Sequence, residues 1–156
     1  MKKSLFSVII VLLVSVFAVP SAYASGGDFH ENAKKRIIYL ADGSYIVSTV
    51  TEENANTSPY AAAKTKSGSK TSTVYSATGT SLYSITVHGT FSYNGSSATA
   101  KSSSYSHAEN SPLWSFSSGS ASVSGATATA SGTFKSALTT KTLTVSLSCS
   151  ANGTLS

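Results

Sequence analysis

The sequence predicts an all-β fold, a single antiparallel β-sandwich of about eight short strands, with Ig-like and barrel-like arrangements both compatible. Three observations carry this. Apolar and hydroxyl residues alternate with period two over several long segments, the signature of half-buried strands. Turn-forming residues separate these segments about every ten residues. Ser and Thr supply 53 of the 156 residues. Both disfavour long helices, because their hydroxyls compete for backbone bonds and Thr is stiff at χ1.

In chain order, Arg36–Ala41 and Ser44–Thr51 flank Asp42-Gly43 and form the first hairpin. Residues 52–70 are polar and contain Pro59, and are expected to be a loop. Residues 82–93 alternate most clearly, with Tyr83, Ile85, Val87, Gly89, Phe91 and Tyr93 on one face. Asn94-Gly95 then turns the chain into Ala98-x-Ala100, since both turn residues tolerate positive φ. Asn110-Ser111-Pro112 precedes a short strand, Leu113–Phe116, whose Trp114 and Phe116 are the expected centre of the core. Residues 126–135 and 142–151 alternate again, with Ala128, Ala130 and Phe134, then Leu143, Val145, Leu147 and Cys149, pointing inward. Parallel βαβ units are excluded, because no helix-length amphipathic segment lies between strands.

The first 24 residues read as a cleaved signal peptide. Lys2 and Lys3 precede an apolar run from Leu5 to Val19, and Ala22-x-Ala24 fits the small-residue cleavage rule. The run is shorter than the roughly 20 residues a spanning helix needs, so no membrane insertion is expected once the chain is mature. The expected organisation is leader 1–24, mobile segment 25–35 and sandwich 36–156. The mature protein is expected to be secreted, extracellular or associated with the cell surface.

Only 11% of residues are charged, against about 25% in an average soluble domain. Without the leader, nine basic residues face six acidic ones. A basic body suits anionic partners such as teichoic-type polymers, but its lysines are too dilute for a phosphate track, which excludes nucleic acid.

Catalytic motifs are missing. No Gly-x-Ser-x-Gly occurs, and Ser67-Gly68-Ser69-Lys70 matches Ser-x-x-Lys without that motif's companions or its helix. A glycosidase needs two facing carboxylates, and after residue 53 only Glu109 is acidic. No enzyme activity, cofactor or metal site is therefore expected. Cys149, in phase with inward residues, reads as a small buried hydrophobe. The sharper alternative is a disulfide to a second molecule, so the chain is expected as a monomer or a Cys149-linked dimer.

Binding is harder to exclude. Exposed aromatic rings stack on the apolar faces of sugars while hydroxyl-rich neighbours bond the sugar's edge. Tyr60, Tyr75, Tyr105 and Trp114 are the candidate binding residues. The competing reading places Trp114 in the core and the tyrosines at edges with wet hydroxyls.

Gly26-Gly27-Asp28-Phe29, Asp42-Gly43-Ser44-Tyr45, Gly89-Thr90-Phe91-Ser92-Tyr93-Asn94-Gly95, Trp114 and Cys149-Ser150-Ala151-Asn152-Gly153 together carry a resemblance. The chain resembles a family of small secreted proteins of unassigned function from Gram-positive bacteria, chiefly Clostridia and relatives. The resemblance implies host type and export, and carries over no activity or site residue. The expected function is a non-catalytic extracellular or cell-surface binding or structural module, contacting a cell-envelope glycan or a surface protein. The alternative is a secreted antagonistic protein, bacteriocin-like or host-directed.

Overall fold

The computed structural model describes residues 34–53 and 63–156. The expected leader, most of the expected N-terminal segment and Tyr60 lie outside the described residues. Among the described residues there are eight strands: β1 (Lys34–Tyr39), β2 (Tyr45–Glu52), β3 (Lys64–Tyr75), β4 (Ser81–Tyr93), β5 (Ala98–Glu109), β6 (Ser115–Ser124), β7 (Thr127–Lys135) and β8 (Thr140–Ser148). They form two antiparallel meanders, a five-stranded sheet ordered β1-β2-β3-β4-β5 and a three-stranded sheet ordered β6-β7-β8. The two sheets pack face to face as a sandwich.

Period-two alternation produces this packing directly. Tyr83, Ile85, Val87 and Phe91 of β4 are buried, as are Ala128, Ala130 and Phe134 of β7 and Leu143, Val145 and Leu147 of β8. Large side chains on one sheet meet small residues on the other. A Cβ on Gly89 would lie 2.8 Å from the Phe91 ring and 3.0 Å from Ala128, and one on Gly132 would lie 2.7 Å from Ile85. Only residues this small let the sheets close without voids.

Four sequence expectations are corrected. Lys34 and Lys35 belong to β1 rather than to the N-terminal segment, paired with Val50 and Thr49. Lys64–Lys70 is strand rather than loop, in register with Val87–Tyr93. Its inward phase carries Lys66, Gly68, Lys70 and Ser72 in place of apolar residues, which masks the alternation. The strands expected at Ala98-x-Ala100 and Leu113–Phe116 run on to Glu109 and Ser124, which puts His107 in β5. A bulge in each strand, between Ala100 and Ser102 and between Phe116 and Ser118, switches which parity faces inward. Finally, Trp114 and Phe116 flank the core instead of centring it, because the fully buried large side chains include Phe91, Phe134, Ile85 and Leu147.

Those two bulged strands line the seam where the sheets meet without pairing. His107 stacks on Phe116 with ring centroids 3.6 Å apart. The Glu109 Oε1 accepts a bond from the Phe116 N–H at 2.9 Å. Farther along, the Ala100 N–H donates to the Gly125 carbonyl at 2.8 Å.

At the opposite margin the chain after β8 folds back. Leu155 bridges Cys149 and is fully buried over Gly68, where any Cβ would strike Leu155 and sit 2.9 Å from the Thr51 carbonyl. Lys66 holds this segment by donating to the Gly153 carbonyl at 3.0 Å while pairing with Glu52 at 2.5 Å.

Truncating Phe134 to Ala removes a fully buried ring from the middle of the layer. Urea denaturation is expected to show a loss of about 3–5 kcal/mol. The hydrogen bond and charge of Lys66 hold the Glu52 carboxyl below its ordinary range. A depressed folded-state value stabilises the fold above the unfolded value of about 4.3, and that contribution is lost as pH falls through the folded one. Wild type should therefore exceed Glu52→Gln in stability at neutral pH, with the gap closing under acid. A pH-independent gap in urea midpoints would contradict this.

Candidate functional site

One end of the sandwich contains a cleft of about 300 Å³, near the small end of ligand-site volumes. Local sequence builds it. The Asp42-Gly43 turn closes with the Leu40 N–H donating to the Ser44 carbonyl at 2.8 Å, and Gly43 supplies the positive φ, 81°. This turn sets Leu40 and Ile46 on one wall of the cleft. The opposite wall hangs on Ser111, whose carbonyl accepts the Trp114 N–H at 3.1 Å. Asn110 anchors that connection by donating from its N–H to the Leu82 carbonyl and from Nδ2 to the Ser81 hydroxyl.

Aromatic rings make the floor. Trp114 tilts against Tyr83 with centroids 4.6 Å apart, and Tyr83 stacks on Phe134 at 4.3 Å. Val74 and Leu143 complete the apolar surface, and Asp42, Lys141 and Thr142 supply polar groups around it.

The electrostatics of the cleft are simple. The Asp42 Oδ1 accepts the Ser44 hydroxyl at 2.5 Å and the Ser44 N–H at 3.0 Å. Those bonds, helped by the charge of Lys141, hold the Asp42 carboxyl below its ordinary value, so it is ionised at neutral pH. Burial pushes the Tyr83 phenol up, with the Asp42 charge adding to it, so Tyr83 stays neutral. A ligand here meets an apolar aromatic floor, a fixed acceptor at Asp42, and a cation at Lys141.

The candidate aromatics do not converge. Trp114 lines the cleft, while Tyr105 packs between the sheets against Phe116 and above Gly119. Tyr75 belongs to a ladder on the outer face of the five-stranded sheet, where register aligns Tyr39, Tyr45 and Tyr75. Tyr45 and Tyr75 stack at 5.1 Å with planes 6° apart, close to the spacing of neighbouring strands. Those two rings cover one another's faces, while Tyr39 tilts 46° against Tyr45 at 5.7 Å and is 75% exposed. Tyr39 and Tyr45 lie symmetrically about Asp42, so hairpin geometry could have paired them from sequence. Tyr83, Asp42 and Lys141 join the cleft from β4, the first turn and β8, and no local pattern shows that they meet.

The outer face of the three-stranded sheet is a hydroxyl lattice. Ser118, Ser120, Ser122 and Ser124 align with Thr133, Ser131, Thr129 and Thr127, which align in turn with Thr142, Thr144, Ser146 and Ser148. Each β7–β8 rung closes a hydroxyl–hydroxyl bond of 2.7–3.2 Å. Among the described residues, no group of three His, Cys, Asp or Glu could hold a metal ion.

Comparison with protein-family models, with curated proteins and with solved structures finds no match.

Cys149 is free and buried, and desolvation pushes its thiol up, away from the reactive thiolate. An aromatic disulfide reagent at pH 8 is expected to leave the native thiol unmodified and to titrate one thiol per chain in denaturant. Rapid modification of the native protein would contradict this burial.

Proposed function

We propose that the protein is a non-catalytic extracellular binding module for a glycan, with the Trp114 cleft as its site. The carrying observation is the composition of that cleft: a tilted Trp114–Tyr83 floor beside an ionised Asp42 and the polar Lys141 and Thr142. A sugar ring has apolar C–H faces and hydroxyl edges. The aromatic floor complements the faces, and the polar rim complements the edges.

Two further features support the reading. The anchoring of Trp114 through Ser111 and Asn110 pre-organises the site, which lowers the entropic cost of binding. The N-terminal Lys2-Lys3, apolar run and Ala22-x-Ala24 support export, and export would place the protein where envelope polysaccharides are accessible.

The chain contains a single Trp, so its fluorescence reports on this cleft alone. Purified protein incubated with washed Gram-positive cell walls and with insoluble chitin and cellulose is expected to be retained by at least one of them. Soluble fragments of the retaining polymer should shift Trp emission. Trp114→Ala is expected to weaken retention by about tenfold or more, about 1.4 kcal/mol, while the protein remains folded. Retention by none of these polymers, or undiminished retention of Trp114→Ala, would overturn the proposal.

A further inference from the structure

The two sheets differ in width, and the excess is informative. β8 packs over β3 and β4, so β1 and β2 run on past the free edge of the smaller sheet. Their inward side continues the floor of the cleft. Register orders it in rows: Ile38, Ile46 and Val74 beside the cleft, then Arg36, Ser48 and Ser72, then Lys34, Val50 and Lys70. Two residues of strand advance about 7 Å, so Arg36 stands one step and Lys70 two steps from the row beside the cleft.

The cations of these rows differ in their partners. Lys34 donates to the Leu155 carbonyl at 3.3 Å, while Arg36 and Lys70 have no ion-pair partner among the described residues. Lys70 is half-buried on the core-facing side, in phase with the buried Gly68, Ser72 and Val74. Burial, and secondarily the charge of Arg36, lower its affinity for a proton, which places the two cations near one another, and no described acid pairs with either. Between them, the buried Ser48 and Ser72 hydroxyls bond one another at 2.8 Å, so the sheet beneath the two cations is polar and carries no charge. At the other end of the cleft the ionised Asp42 and the Lys141 cation offset one another.

We infer that the ligand of the cleft is an acidic oligosaccharide, one ring on the Trp114–Tyr83 floor and the carboxylate or phosphate of a further unit between Arg36 and Lys70. This rests on the reading of the cleft as a glycan site. Arg36 and Lys70 are specificity residues for charge, while Trp114 supplies stacking that a neutral saccharide could also use.

The test follows Trp114 emission during titration with tetragalacturonate, with its methyl ester, and with a short glycerol phosphate oligomer, which separates a carboxylate source from a phosphate source. At least one acidic probe is expected to bind about tenfold or more tightly than the neutral ester, with a preference that salt weakens. Arg36→Gln/Lys70→Gln should reduce the acidic probe to the affinity of the ester and leave the ester unchanged. Circular dichroism checks that the variant is folded, and the single substitutions Arg36→Gln and Lys70→Gln serve if it is not. Equal binding of acidic and neutral probes, or a preference that survives the substitutions, would overturn the acidic ligand while leaving the glycan site standing. No emission change with any of the three would overturn both.

Discussion

A single buried layer supports the whole structure. Apart from β1, which is exposed on both sides, the strands turn one side inward and the other to water, and the outward side is dominated by Ser and Thr. Cohesion must therefore come from the inward phase alone, where Phe91, Phe134, Ile85 and Leu147 pack against Gly89, Gly132, Ala128 and Ala130. The matching of large to small sets the separation of the sheets, and that separation in turn positions Tyr83 and Trp114. Helix propensity, disulfides and charge networks contribute little by comparison, since the regular structure is β, the lone Cys is free and few ions pair among the described residues.

The unequal sheets have a second consequence. Three strands cannot cover five, so β1, at the margin, stays exposed along its whole length, while Ser48 and Val50 on the inward phase of β2 are buried. The cleft opens at this margin because the first turn and the 110–114 connection rise on either side of it. Farther along the same strands the fold-back of Leu155 fills the space and makes Gly68 obligatory. Core, cationic rows and cleft are thus stretches of one surface, distinguished by how much of it the smaller sheet reaches.

The hydroxyl faces do a different job. Cross-strand Ser/Thr pairs on β7 and β8 and between β3 and β4 tie neighbouring strands by side-chain hydrogen bonds, each a modest gain in water. Their larger effect is on solubility, because they keep exposed sheet surface polar without charge. The cost falls on the edge. β1 leaves Ile37, Ile38, Tyr39 and Leu40 exposed in succession, and the only local safeguard against edge pairing is the Lys34-Lys35-Arg36 run at its start.

Fold class, strand number and antiparallel pairing were legible in the sequence, because alternation and Gly-bearing turns are local signals. Where β5 and β6 were underread, a bulge had switched the inward parity, and where Lys64–Lys70 was read as loop, the inward phase was polar. Both failures have one physical origin, since periodicity is visible only while chemistry and phase stay aligned. Of the aromatic candidates, Trp114 alone lines the cleft, and its neighbours Tyr83, Asp42 and Lys141 come from strands far apart in sequence. By itself, then, the sequence determined which residues become strands and which face of most of them is wet. Only the tertiary structure decided the division into five strands and three, and with it the uncovered margin that holds the candidate site, because sheet width depends on long-range pairing that no local pattern encodes.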